Sequence, residues 1–510
     1  MLRLRLVALG ACFALFVSHA AASPPFELIG SNLGNGGFNA RAYGASAASA
    51  YFNPALLPQA DAGLSLGTFV LNDAISITLD ARDPAVDVPL AALDNFNAGD
   101  RSVGTLPAEP TRWLQSGCQN APDGCVSNLA PRPRQGTGSS GNVNAYGVVG
   151  MVGHLWRRYL SLGLYTLIPI GDYVRNHAFF VDEREQHFTN SLHQELYSDR
   201  LTSLSFAFGL GSRVNEHVSL GLGASLSLSN NATAATYIGD SSRLGDTLLL
   251  SPTVRVVASV SPHFSLQAAP IDGLSLSATV HAPEKLDTTT TTISLLANGD
   301  RQIVERVAIQ AWQPWILGLG GAWVFHRERA YEIAVTGTIT YQLWSQYLNR
   351  QGEHPQKNYE WRDVPSFALG VRYTHNKNLA AMLDGTVQVS PVPLQSGRTN
   401  YVDNDRFGIN GGVTYELPIE TWGAKLRLGC QAQLHLLRAR HQSKINPKAP
   451  QLAAAHYSQL VEDEWSDHAI NGRGNIIPEA AGLQTNNPGW PGFSSSGFLI
   501  GAGLTASLIY

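Results

Sequence analysis

Long stretches of this chain alternate between apolar and polar positions with a period of two. Val218, Leu220, Leu222, Ala224, Leu226 and Leu228 share one face of a segment, and Ser219, Gly221, Gly223, Ser225 and Ser227 share the other. Such alternation marks a β-strand with two unlike faces. Leu204, Phe206, Phe208 and Leu210 repeat it against Ser203, Ser205, Ala207 and Gly209. Tyr331, Ile333, Val335, Ile339 and Tyr341 oppose Glu332, Thr336, Thr338 and Thr340. Leu379, Leu383 and Val387 oppose Asp384, Thr386 and Gln388, while Leu426, Leu428, Leu434 and Leu436 oppose Lys425, Arg427, Gln431, Gln433 and His435. Each run is about the 9 to 11 residues that a tilted strand needs to cross a bilayer.

Fourteen such segments are traced, near 64–79, 141–154, 159–170, 202–213, 218–229, 251–261, 272–283, 301–321, 329–345, 361–374, 379–390, 405–415, 423–440 and 497–510. Short and long connections alternate through most of the chain. The short ones are 155–158, 213–217, 326–330, 375–378 and 416–422; the long ones include 81–140, 171–201, 230–250 and 441–496. Short turns on one side and long loops on the other are the pattern of an outer-membrane barrel, and an even strand count puts both ends on the short-turn side. Trp156, Tyr159, Tyr341, Trp344 and Trp361 stand at strand ends, where aromatic girdles meet the membrane interface. A soluble sandwich would alternate too, but strand length and the aromatic ends favour the barrel. The fold class expected is all-β: a transmembrane antiparallel β-barrel of about fourteen strands.

Composition agrees with that choice. Charged residues make up only 15% of the chain, below the usual quarter of soluble proteins. Mean hydropathy is still close to neutral, at -0.06, because a barrel strand shows lipid only every second residue. No run of eighteen apolar residues follows the N-terminus, which argues against a helical bundle. A net charge of -4 offers no basic field for nucleic acid.

The N-terminus reads as an export signal. Arg3 and Arg5 precede an apolar run from Leu6 to Val17, and small residues follow at Ala20–Ser23. Export through an oxidising compartment makes a loop-closing disulfide between Cys118 and Cys125 the expected state of that pair, with free thiols as the alternative. Cys430 lies in a strand pattern and reads as a small apolar residue. Between the signal and the first strand, Pro24 to Ala62 lacks barrel character and is rich in glycine, alanine and serine. Such a segment either hangs below the barrel as a tail or folds into its lumen as a plug.

Ala40-Arg41-Ala42-Tyr43-Gly44-Ala45, followed by Tyr51-Phe52-Asn53-Pro54-Ala55-Leu56, resembles the hatch of the outer-membrane long-chain fatty acid transporters, the FadL-like family, which includes importers of aromatic hydrocarbons. Tyr341-Gln342-Leu343-Trp344-Ser345, Tyr359 to Pro365, Ser390-Pro391-Val392-Pro393 and Asp403-Asn404-Asp405-Arg406-Phe407 resemble further patches of that family. The stretch from Ala81 to Ser140 does not align with it. The resemblance implies a monomeric fourteen-stranded barrel with a signal peptide at 1–22, a hatch plugging the lumen at 23–62 and the barrel at 63–510. It also implies hydrophobic ligand pockets and sideways release at a kinked third strand, where Pro169 and Gly171 are the candidates.

The function expected is passive uptake of long-chain fatty acids or similar lipids and hydrocarbons across a bacterial outer membrane; the alternative is a barrel that binds ligand or holds structure without transporting. Hatch residues are Arg41, Tyr43, Asn53, Pro54 and Ala55. A ligand carboxylate would seek a cation on the lumen face, with Arg41, Arg255, Arg372, Lys425 and Arg427 as candidates. In the last long loop, Leu452, Trp490 and Phe493 could capture greasy ligands. Expected partners are the hydrophobic ligand, membrane lipid and lipopolysaccharide, and the barrel assembly machinery during biogenesis. No cofactor and no enzymatic activity are expected: phosphate-loop, zinc-helix and calcium-loop patterns are missing, and no serine–histidine pair has a distinctive context.

Overall fold

Which way each strand faces decides the architecture. The computed structural model describes residues 24–79, 137–156, 159–170, 204–228, 236–239, 247–256, 259–295, 301–325, 330–348, 361–393, 401–420, 423–443 and 492–510, with isolated positions at 352, 354, 469–470 and 476–477. The export signal, Cys118, Cys125, Gly171, Leu452 and Trp490 lie outside the described residues.

Fourteen strands form one closed antiparallel barrel. In chain order they are β1 (Gly63–Leu79), β2 (Thr137–Leu155), β3 (Leu160–Pro169), β4 (Leu204–Arg213), β5 (Val218–Leu228), β6 (Ser259–Ile271) and β7 (Leu274–His281). There follow β8 (Ile316–Phe325), β9 (Tyr331–Gln342), β10 (Val364–His375), β11 (Leu379–Gln388), β12 (Arg406–Ile419), β13 (Ala424–Ser443) and β14 (Gly492–Ile509). Each pairs with its neighbour in sequence, and β1 pairs with β14 from Gly63↔Ile509 to Leu79↔Phe493. Closure leaves no unpaired edge, the condition for sheet in hydrocarbon.

The alternation maps onto inside and outside. In β5, Ser219, Ser225 and Ser227 are buried while Leu220 is exposed; in β10, Leu369 is 70% exposed and Arg372 only 1%. Phe208, Leu319, Leu383, Ile409 and Leu504 continue an apolar outer surface around the wall. A closed barrel that is apolar outside and polar inside is built for a lipid surround. Trp156, Tyr159, Tyr341 and Tyr510 are exposed at strand ends, as a girdle requires. Trp344 and Trp361 are not part of it: both are buried in a cluster with Trp312, Tyr347 and Tyr401, where Trp361 stacks on Tyr347 at 4.0 Å. Strand-end position alone does not separate a ring turned to lipid from one turned under the connecting chain.

Two strand spans expected from sequence are corrected. The pattern at 251–261 suggested the sixth barrel strand, which is instead Ser259–Ile271, joined to β7 by the two-residue turn Asp272-Gly273. The pattern at 301–321 suggested one strand, but it divides into Arg301–Gln313 and β8. Arg301–Gln313 belongs to a separate four-stranded sheet with Glu284–Leu295, Thr247–Val256 and Thr236–Gly239. These segments therefore extend the long connections on either side of β6 and β7, and the region 230–250 is partly strand rather than plain loop. Thr247–Val256 sets Leu250, Val254 and Val256 against Ser251, Thr253 and Arg255, as a wall strand does, so periodicity does not tell wall from extension there.

Candidate functional site

Residues 24–62 lie against the inner wall. A short helix, Pro24–Ile29, leads through a glycine-bearing turn to Ser49–Phe52 and the 3-10 helix Pro54–Gln59. Pro54 starts that 3-10 helix, where a missing N–H is harmless. The segment has its own apolar core: Phe26 packs on Tyr51 at 4.6 Å and on Tyr165 of β3 at 4.9 Å. Its seat depends on wall residues without side chains. A Cβ at Gly209 would come within 2.7 Å of the Ala50 backbone.

Hydrogen bonds hold the segment on several sides. Asn53 Nδ2 donates to Arg41 O at 2.7 Å and to Gln267 Oε1 of β6 at 3.0 Å. The Ala55 N–H donates to Ser265 Oγ at 2.9 Å, and His263 Nε2 meets Ala50 O at 2.7 Å. Tyr43 reaches Glu332 of β9 at 3.4 Å. Opposite, Arg372 of β10 and Asp384 of β11 form a fully buried pair at 2.7 Å. The guanidinium also donates to Asn35 O and Gly36 O, while the Asp384 carboxylate accepts from the Phe38 N–H and Asn39 Nδ2. One wall ion pair thus grips a five-residue stretch of the segment from both sides of its charge.

The cations expected to await a ligand carboxylate are otherwise engaged. Arg41 pairs with Glu27 at 2.6 Å, and the Tyr51 hydroxyl donates to the same carboxylate at 2.7 Å. Burial disfavours the Arg41 cation, but the Glu27 charge and hydrogen bonds outweigh it, so the guanidinium is held above its ordinary pKa. Burial and then the Glu27 charge push the Tyr51 phenol well above its usual value, so it remains a donor. Arg372 is the clamp just described. Arg427 binds Glu416 and Asp61, tying β13 to the end of the N-terminal segment, and Lys425 is exposed beside Glu416 at 3.2 Å. Arg255 is not on the lumen face: it lies opposite Thr289 in the separate sheet.

Sequence reasoning passes over a different set. Between the segment and β9–β13 is a cavity of about 40 Å³. Leu28, Phe38 and Phe52 line it from the segment; Thr338, Gln342, Gln388, Arg406 and His435 line it from the wall. The alternation does place His435 and Gln388 inward, which is the only signal the sequence carries for it. A second such residue is Glu284, at the base of the separate sheet, buried and accepting from Ser225 and Ser227 at 3.1 and 2.8 Å.

One further expectation is relocated. Phe493 is not in a capture loop: it is part of β14, paired with Leu79 and fully buried. Pro169 ends β3 and is paired with Tyr146, and the β3 registers with β2 and β4 run without a shift. Among the described residues, no group of three His, Cys, Asp or Glu side chains could hold a metal ion.

No family model matches the chain, and no curated protein matches it in sequence. Solved structures do match. The P. putida toluene transporter TodX is 11% identical over 92% of this chain and 99% of that one, with a TM-score of 0.44. The Ralstonia pickettii toluene transporter TbuX is 11% identical over 96% and 99%, with a TM-score of 0.41. A Pseudomonas aeruginosa FadL homologue is 12% identical over 97% of this chain and 99% of that chain, with a TM-score of 0.50. That last likeness is one of fold, and it runs nearly end to end through both chains.

Proposed function

We propose that this chain is an outer-membrane channel for passive uptake of hydrophobic small molecules, with residues 24–62 acting as a hatch in its lumen. The observation that carries this is the seat of that segment. It lies inside a lipid-facing barrel, and among the described residues it is attached to the wall by hydrogen bonds to wall side chains and by the Arg427–Asp61 ion pair, and not by strand pairing. A plug held this way can shift without opening the wall. Lipopolysaccharide outside the membrane slows the entry of greasy solutes, which gives such a channel its task. A closed barrel needs no partner copy to complete its sheet, so a monomer is expected, assembled by the barrel machinery after export and cleavage of residues 1–22.

The test is uptake by intact cells, where the lipopolysaccharide barrier is in place. A strain lacking the gene should accumulate labelled oleate or labelled naphthalene several-fold more slowly, and expression in trans should restore the rate. Equal rates in the two strains, for both ligands, would overturn the proposal in favour of a structural barrel. In a background free of other cysteines, Ala55→Cys with Ser265→Cys offers a lock between hatch and wall. Uptake lost on oxidation and regained on reduction would show that the hatch moves; unchanged uptake would show a ligand route that bypasses it.

A further inference from the structure

Three successive inward positions of β13, His435, Gln433 and Gln431, carry side chains that are 1%, 3% and 7% exposed. Much of their polar capacity is unused among the described residues. Neither ring nitrogen of His435, neither amide atom of Gln433 and not Gln431 Nε2 has a hydrogen-bond partner. Asn410, opposite Gln433 on β12, has an unpartnered Oδ1, and so does Asn39 of the N-terminal segment. Both of these asparagines turn their amide nitrogen to Asp384, at 3.5 and 2.8 Å, which brings them to one place. Buried polar atoms without partners are costly, so a contiguous set of them points to an occupant that the chain does not supply.

The chemistry of the set selects that occupant. Amide nitrogens donate, amide oxygens accept, and a neutral imidazole does one of each. The Asp384 charge beside them is matched by Arg372. An anion would satisfy the donors alone, a cation the acceptors alone, and an apolar chain neither. Water both donates and accepts, and a buried water makes about three such bonds.

The set also joins two cavities. The one of about 40 Å³ ends on Arg406 and His435, toward the long connections. A second, of about 20 Å³, is at the short-turn end and is lined by Arg427, Asp61, Ser65 and Ser507. A water needs roughly 10–15 Å³, so both have room for it. His435 and Arg427 are eight residues apart on one strand, about 26 Å at ~3.3 Å per residue. At a barrel tilt of about 40° that is roughly 20 Å of depth, most of the ~25 Å apolar band. Gly429 adds no side chain to the file, but a Cβ there would come within 2.5 Å of Thr505 Oγ1, so a hydroxyl of β14 covers that step. Beyond it Ser507 Oγ meets Ser65 Oγ at 2.7 Å. Polar groups therefore follow one another from the first cavity to the second.

The geometry points to a second activity: a file of water along the inner face of β13, between the N-terminal segment and the wall, through which the assembled barrel passes water. This activity is separate from the uptake of hydrophobic molecules, and either can fail without the other.

The test is the osmotic response of proteoliposomes that carry the whole protein, followed by light scattering after mixing with sucrose. They should shrink several-fold faster than empty vesicles of the same lipid and size. Gln433→Leu and Gln431→Leu put an apolar group of similar bulk in the file, and each should remove most of the increase. Gln433→Asn keeps a donor and an acceptor and should retain it. The heat-dependent gel shift shows that each variant has assembled. Shrinkage of the parent no faster than that of empty vesicles overturns the inference, whatever the variants do. So does a fast rate that the assembled Gln433→Leu and Gln431→Leu variants both leave unchanged, because the water then crosses elsewhere.

Discussion

Arg372 and Asp384 meet at 2.7 Å in the barrel wall, on adjacent strands, and hold residues 35–39 of the N-terminal segment between them. Neither side chain sees solvent. The pair is therefore a clamp whose charges are compensated by each other and by the backbone they grip. Removing one partner should cost far more than removing both. Arg372→Met is expected to destabilise the folded barrel by about 3–5 kcal/mol, because it strands a buried carboxylate. Arg372→Met with Asp384→Leu should recover much of that loss. Urea unfolding followed by tryptophan fluorescence checks it; a single variant as stable as the parent would show that the pair contributes nothing.

Gly37 tests the same clamp from the side of the N-terminal segment. Its φ is +55°, and a methyl group there would collide with the Asp384 carboxylate and come within 2.8 Å of Asn410 Nδ2. Gly37→Ala should dislodge the 35–39 stretch while the strands still pair. The expected signs are faster amide exchange or proteolysis within residues 24–62 and an unchanged heat-dependent gel shift.

Glu284 predicts a pH dependence. Burial raises its pKa well above the ordinary carboxyl value, against the lowering effect of the Ser227 and Ser225 hydrogen bonds. The folded state thus favours the protonated acid. Its contribution to stability is complete below the ordinary carboxyl range, and it is lost as pH rises from there toward the raised folded-state value. Glu284→Gln keeps an acceptor and a donor for the two serines but cannot ionise. The variant should gain on the parent as pH rises above about 4.5, seen as a flatter plot of urea midpoint against pH. Parallel plots would show that Glu284 is ionised in the fold at no penalty.

On the outer face, Leu369 is at mid-strand and 70% exposed. Leu369→Arg places a charge in hydrocarbon and should destabilise by about 2–4 kcal/mol in lipid vesicles. The same variant in a soluble protein's surface would be near neutral, so the size of the loss reports the surroundings of the wall.

Asn53 joins the N-terminal segment to β6, and Pro54 starts the 3-10 helix that follows. Asn53→Ala with Pro54→Ala leaves Arg41 O and Gln267 Oε1 without their donor, at roughly 1–3 kcal/mol. Uptake of labelled ligand should change while the barrel assembles, and a normal rate would rule out a gating role for this turn.

Much of the wall is legible in the chain, because lipid outside and polar groups inside impose a strict period of two. Ser219 and Leu220, or Leu369 and Arg372, take their faces from that period alone. An even strand count follows as well, since both ends lie on the short-turn side. The sixth strand is also marked in the chain. Asp272-Gly273 is a two-residue hairpin signal, and taking it as a turn puts strands on both sides of it, where β6 and β7 are.

Other features are decided only by tertiary structure, for one reason: which inward charges meet depends on how neighbouring strands and the N-terminal segment lie against one another. Arg372, Arg41 and Arg427 look alike as inward cations, and nothing local shows that Asp384, Glu27, and Glu416 with Asp61 already neutralise them. Arg406 looks the same from its sequence, yet the fold leaves it without a carboxylate among the described residues. Periodicity says which side of a wall a side chain is on. Which groups on that side remain to meet a ligand depends on how the N-terminal segment packs across strands hundreds of residues away.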